Sequence, residues 1–360
     1  MKNILFITNS LGFGGASKML CFVAESLAER GYQVHIANRK ATTDVTGYER
    51  VVSEKIQVHR IQGSGRWQEL KQIIKTAKGM NADIIVGFTE MPNLMARLAA
   101  VRLGIPSVMS ERGDPSRTSG TKNIKNGLVR RIINGSKGGV FQTEGAMKFY
   151  GKGLQKRGIV IPNPIFVKGE VPDVAYAERE KTVVSVGRLD NFQKRYDIML
   201  QAFKLFHDKH PEYILKLYGN GSDVEMIKGW ATELGLADAV QFMGLTKQPM
   251  QDIAKAGMFL ITSDFEGISN SLLEAMAAGL PCVSTDHTPG GARLLITDHK
   301  NGLLAPVADA SKLAGAMCEY AENPKLAETC GQNAKDVLVR FAPECIIDQW
   351  ENYLRKLTKK

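Results

Sequence analysis

Four side chains in the second half of the chain have the types and spacing for chemistry on a phosphorylated ligand. Arg188, within Val186-Gly187-Arg188-Leu189, stands just past a strand-like run, and Lys194 follows at the expected start of a helix. Two cations at the carboxyl end of a strand suit a diphosphate whose negative charge grows as its bond to a sugar breaks. Further on, Glu266 precedes a helix expected to begin near Ser269 or Asn270, and Glu274 lies about one turn inside it. A carboxylate accepts well from a vicinal diol, so each glutamate could hold a pair of sugar hydroxyls, but at these positions they cannot share one role. The free amides at that helix start could hold a phosphate.

A second anion-compatible segment is Leu11-Gly12-Phe13-Gly14-Gly15-Ala16-Ser17, between the first strand and the first helix. Gly14 and Gly15 let backbone N–H groups approach an anion at a helix N-terminus. A dinucleotide fingerprint would need a third glycine where Ser17 stands, and an acidic residue where the second strand ends in Asn38-Arg39-Lys40. A nicotinamide cofactor is therefore disfavoured.

These residues need a scaffold that gathers strand ends. Strand-like runs alternate with helical patterns throughout: 4–8, 34–37, 83–88, 106–110, 139–143 and 159–161, then 182–187, 214–219, 240–244, 257–262, 281–285 and 303–307. Such alternation predicts parallel sheets covered by helices on both faces. The polar, acidic stretch 166–181, with Pro172, reads as a linker between two doubly wound, Rossmann-like domains. The expected division is 1–168, 178–340 and a C-terminal helix in 341–360, whose Trp350 and Tyr353 could pack back across both domains. Ligands of such folds sit at the carboxyl ends of the strands, so two facing domains would enclose a cleft.

Composition limits the classes. The chain has 360 residues, 44% of them hydrophobic and 23% charged, as expected of a globular protein with two cores. No apolar run approaches the roughly 20 residues of a spanning helix, and the first strand is too short for a signal-peptide core. A cytoplasmic protein with five scattered, reduced cysteines is expected. The net charge of +10 is concentrated in residues 112–157, which hold eleven Lys or Arg against Asp114 and Glu144. Such a segment attracts polyanions; without interleaved aromatics it fits an anionic membrane surface better than nucleic acid.

Taken together, the motifs resemble glycosyltransferase family 4, a family of retaining GT-B enzymes. The resemblance rests on Gly14-Gly15-Ala16-Ser17, on Ile161-Pro162-Asn163-Pro164, on Val186-Gly187-Arg188-Leu189 with Lys194, and on the E-x7-E pattern of Glu266 and Glu274, and it spans nearly the whole chain. It implies transfer of a hexosyl or N-acetylhexosaminyl group from a nucleotide-sugar, UDP rather than GDP, to a glycan or polyprenol-linked glycan. No metal is implied, and the chain has no D-x-D triplet of the kind that holds one in other sugar transferases. Arg188 and Lys194 would contact the diphosphate, assisted by the backbone amides of Ile268, Ser269 and Asn270, while Glu266 would face the donor sugar near its C3 hydroxyl and Glu274 the ribose. Gly14 and Gly15 would approach the diphosphate as the cleft closes. Gly219, Gly221 and Gly244 fall in segments that resemble the loops flanking the nucleotide base.

One departure concerns the segment Met109-Ser110-Glu111-Arg112-Gly113-Asp114-Pro115, where many members carry a histidine near the sugar C6 hydroxyl. It is similar to the version in members that build bacterial surface polysaccharides or lipid-linked oligosaccharides. Glu111 and Arg112 become candidates for donor-sugar or acceptor contacts, or they pair with each other or with loop backbone. A nucleotide-sugar epimerase on the same fold and a non-catalytic nucleotide-sugar-binding partner are the rival readings.

Overall fold

The computed structural model describes residues 1–12, 15–39, 51–118, 124–167 and 169–358. Two compact units divide the chain, one built from Met1–Asn163 with Glu344–Lys360, the other from Pro164–Pro343.

The first unit carries a seven-stranded parallel sheet. Its strands are β1 (Asn3–Thr8), β2 (Gln33–Asn38), β3 (Gln57–Arg60), β4 (Ile84–Phe88), β5 (Ser107–Glu111), β6 (Gly138–Phe141) and β7 (Gly158–Val160), in the order β3-β2-β1-β4-β5-β6-β7. β1, β4 and β5 are buried almost throughout, because helices cover both faces and near-continuous apolar runs are then favoured. β3 was not anticipated: Gln57-Val58-His59-Arg60 is a short, mostly polar edge strand, and a solvated edge leaves no apolar pattern to read.

The second unit has six parallel strands, β8 (Thr182–Val186), β9 (Ile214–Tyr218), β10 (Val240–Gly244), β11 (Met258–Ile261), β12 (Cys282–Thr285) and β13 (Leu303–Ala305), ordered β10-β9-β8-β11-β12-β13. Both sheets are doubly wound, with the order reversing between β1 and β4 and between β8 and β11. Those reversals open crevices at the strand carboxyl ends, where ligands of such folds bind.

Residues just before the expected linker already belong to the second unit. Ile165 is buried in its core, and the Ile165 amide donates to the Phe341 carbonyl (2.8 Å). The last helix, Pro343–Thr358, completes the first unit. Its buried Ile346, Ile347, Trp350, Tyr353 and Leu354 join the core formed by β1, β2, β4 and the helix Gly15–Glu29. Trp350 is fully buried and stacks on Phe88 with ring centroids 5.7 Å apart. The Tyr353 hydroxyl accepts from the Gly139 amide (2.9 Å), and a side chain at Gly138 would collide with it. Arg30 closes the join with Asp348 (2.7 Å) and Glu351 (2.6 Å). Cys345 is exposed and the other four cysteines are buried, all as free thiols. Among the described residues no helix is long and apolar enough to cross a membrane.

Candidate active site

The carboxyl ends of β8, β9 and β10 are tied by backbone bonds. The Gly187 amide donates to the Tyr218 carbonyl (2.9 Å), Gly219 to Gly244 (2.7 Å) and Leu189 to Asn220 (3.0 Å). Gly219 holds φ +143°, and a Cβ there would run into the Gly187 carbonyl, so only glycine permits this approach. A Cβ at Gly221 would likewise meet the Leu189 carbonyl. Gly244, at φ +74°, turns the chain away after β10.

Beside them, the loop after β8 is laced to the loop after β11 across the β8/β11 reversal. Thr262 Oγ1 donates to the Lys194 carbonyl (2.8 Å), Gln193 Nε2 to the Phe265 carbonyl (3.0 Å), and the Asp264 amide to the Gln193 carbonyl (3.0 Å). Arg195, in the left-handed region at φ +53°, bridges Asp197 and Asp264, each at 2.9 Å. These bonds thus set the backbone positions from which Arg188 and Lys194 project.

Arg188 and Lys194 occupy different environments. The Arg188 side chain is 64% exposed, its guanidinium 3.4 Å from both Asp190 and Gln193, a loose arrangement that leaves it able to turn toward a ligand. Lys194, at the end of the short helix Asn191–Lys194, is largely enclosed and ion-paired with Glu266. Glu266 is buried, accepts from Ser263 Oγ (3.2 Å), and its amide donates to the Thr288 carbonyl (2.8 Å). Burial pushes the Glu266 carboxyl up, but Lys194 and His287, together with hydrogen bonds from Lys194 and Ser269, outweigh it and hold the group below its ordinary range.

The helix Asn270–Ala277 follows at once. Ser269 caps it, its hydroxyl accepting from the Leu272 amide (3.4 Å), while Ile268 is buried just before. First-turn amides of a helix have no acceptor within it, so the segment Ile268–Ser269–Asn270 can present donors to an anion. Glu274 sits half-buried one turn into that helix. Arg188, Lys194, Glu266 and the Ile268–Asn270 turn therefore share one crevice, with Gly219, Gly221 and Gly244 at the adjoining strand ends. His287, next to Glu266, was missed: a single histidine after a strand carries no spacing signal.

The remaining candidates belong to the first unit. Gly15 opens the helix Gly15–Glu29 after β1, and Gly14 lies outside the described residues. Glu111 and Arg112 are turned to internal partners. Glu111 accepts from the Tyr150 hydroxyl (2.6 Å) and from the Arg112 amide (3.0 Å), and burial raises its pKa. Arg112 donates to Ser110 Oγ (2.8 Å) and lies over the Phe88 and Trp350 rings at 5.6 and 5.3 Å. The internal pairing that the sequence allowed for these two residues is present in this geometry.

Two family models cover the chain, Glycosyltransferase Family 4 over residues 13–167 and Glycosyl transferases group 1 over residues 170–337. The chain is a family 4-like glycosyltransferase. Its two Rossmann-like domains have the GT-B fold: HepE of Anabaena, solved in complex with UDP-glucose, superposes with a TM-score of 0.81 at 20% identity, covering 99% of this chain and 100% of that one. An uncharacterized glycosyltransferase of Haemophilus influenzae is 24% identical over 369 residues, 98% of this chain and 100% of the relative. The undecaprenol-diphosphate-glycan alpha-1,4-N-acetyl-D-galactosaminyltransferase of Campylobacter jejuni is 23% identical over 359 residues, 97% of each chain. Other matches are shorter. The lipopolysaccharide 1,6-galactosyltransferase of Escherichia coli K12, 32% identical over 152 residues, is matched over 42% of its length and 41% of this glycosyltransferase. The epimerase and non-catalytic readings give way to a transferase.

Proposed function

We propose that this glycosyltransferase moves a hexosyl or N-acetylhexosaminyl group from a UDP-sugar to a bacterial surface glycan, lipid-linked during assembly, with retention of configuration and no metal ion. The observation that carries the reading is the gathering of Arg188, Lys194, Glu266 and the Ile268–Asn270 turn at the β8/β11 reversal. In the reaction the acceptor hydroxyl attacks the anomeric carbon as the bond to the diphosphate breaks, and the departing phosphate takes the acceptor proton. Arg188 and Lys194 meet the charge that develops on that phosphate, Glu266 holds donor-sugar hydroxyls and Glu274 the ribose diol. Support for UDP comes from the HepE complex with UDP-glucose, and support for a lipid-linked acceptor from the Campylobacter relative that acts on an undecaprenol-linked glycan.

A lipid-linked acceptor brings the enzyme to a membrane surface, and the basic segment fits that role. Arg117, Arg131, Lys137, Lys148, Lys152, Lys156 and Arg157 are exposed. Arg112 is turned inward and Lys122 lies outside the described residues, so the basic face is smaller than the sequence count.

The test is thermal stabilisation by a panel of nucleotides and nucleotide-sugars, with and without chelator, followed by transfer to a polyprenol-diphosphate-glycan acceptor. A chelator-insensitive shift with UDP or one UDP-sugar is expected. No shift with any nucleotide would overturn the donor site.

A further inference from the structure

Lys194 cannot serve a diphosphate without leaving something behind. In the ligand-free protein it is ion-paired with Glu266, whose buried carboxylate also meets the Ser263 and Ser269 hydroxyls and has His287 as its other ionisable neighbour. Drawing a cation away from a buried carboxylate exposes the protein to the cost of an uncompensated interior charge. Either the carboxylate takes a proton, which would spoil it as an acceptor for sugar hydroxyls, or another cation must appear beside it.

His287 is placed to supply that cation. It lies in the loop after β12, fully buried, and neither ring nitrogen meets a partner in hydrogen-bond geometry. An enclosed, unpartnered imidazole is costly and calls for a reason. Its loop is braced directly on the Glu266 segment. The Glu266 amide donates to the Thr288 carbonyl, Phe265 and Thr288 form a parallel β-bridge, and Gly291 packs so closely that a Cβ there would strike the Gly267 carbonyl and lie 3.2 Å from His287 Cε1. The charged groups that bear on the ring are Glu266 from the loop after β11, Lys194 from the helix Asn191–Lys194, and Asp286 on its own loop. Burial, aided by Lys194, keeps the imidazole neutral, against the opposing pull of Glu266, Asp286 and the Thr288 backbone. Moving Lys194 removes one opponent of the charged form and leaves Glu266 in need of a cation.

We propose that His287 takes up a proton when a bound diphosphate draws Lys194 from Glu266, so that the carboxylate keeps a cationic partner throughout donor binding. The proton comes from solvent and is returned when the nucleotide leaves and Lys194 swings back. His287 is thus a positioning residue for Glu266, and this rests on the reading of Lys194 as a diphosphate ligand.

Calorimetry with UDP-glucose and UDP-N-acetylglucosamine tests it, since their esterified diphosphates have no group titrating near neutrality. Near pH 7, titrations in buffers of different ionisation enthalpy should show uptake of about one proton per ligand, and affinity should fall by up to about tenfold per unit of rising pH. In His287→Asn both effects should vanish while binding persists. Independently of that variant, nitrogen-15 spectra of the native protein should show one of its six histidine rings passing from neutral to imidazolium when the sugar nucleotide is added. Binding without proton uptake, uptake that survives in His287→Asn, or no histidine changing state would overturn the role of His287 and leave the donor site standing. If neither sugar nucleotide binds, the donor reading and this inference fall together.

Discussion

Lys194 and Glu266 form a nearly enclosed ion pair that joins the loop after β8 to the loop after β11, across the point where the sheet order reverses. The contact joins two loops in the free protein, and the proposed reaction would draw on both of its partners. Breaking it from one side should therefore be costly in two ways. Lys194→Met leaves Glu266 to a His287 imidazolium alone. Near pH 6 it should destabilise the fold by less than an unpaired buried charge does, about 3–5 kcal/mol, and by about that much near pH 8, where the imidazole loses its proton. The double variant Lys194→Met with Glu266→Gln should recover much of that stability but none of the activity. Denaturant unfolding of the single and double variants checks the first statement and a transfer assay the second.

Arg188 should behave in the opposite way. Its side chain is mostly exposed and loosely held, so Arg188→Ala should leave the melting temperature nearly unchanged. Turnover should fall on the order of 10²-fold or more, the scale of losing a donor to a developing oxyanion. Near-normal turnover in the folded variant would remove Arg188 from the reaction.

Acid should weaken the free protein in two steps. The buried His287 has its pKa lowered, chiefly by burial, so the unfolded chain takes up that proton first and stability declines as the pH drops through about 6.5. Glu266 is held below its ordinary value, so its contribution is present above the usual carboxylate range and lost as the pH falls through the folded-state value. Melting temperatures from pH 8 to pH 4 should slope downward toward acid, and His287→Asn should flatten the upper part of that slope.

The exposed basic residues of 117–157 should bind vesicles rich in anionic lipid at low salt and release them as salt rises, because such attraction is screened within about a Debye length. Reversing Lys148, Lys152 and Lys156 to glutamate should abolish sedimentation with vesicles while leaving UDP binding intact. Vesicle binding unaltered by these changes would assign the attraction to another face.

Much of this was legible in the chain because parallel strands buried on both faces write long apolar runs, and every strand from β4 through β13 stands where such a run predicted one. The motif residues could be placed because doubly wound sheets deliver loops to one edge, so Arg188, Lys194 and Glu266 had to converge once their strands were adjacent. What was not legible depended on contacts remote in sequence. Glu111 is bound by Tyr150 and Arg112 lies over Trp350, partners that no local pattern names. His287 acquires meaning only through a loop that folds against Glu266.

The return of the helix Pro343–Thr358 to the first unit has a consequence for how the molecule is made. A ribosome delivers β1 well before Trp350, so the core beside β1 stays incomplete until residues 343–358 have followed. The second unit is one uninterrupted stretch and can close as soon as Pro343 has emerged, so the usual order in which domains mature on the nascent chain is reversed. Until that last helix docks, the apolar face beneath Phe88 stays open. A nascent or prematurely stopped product would then be a client for chaperones, and removal of large buried aromatics such as Trp350, worth about 3–5 kcal/mol, would prolong that dependence.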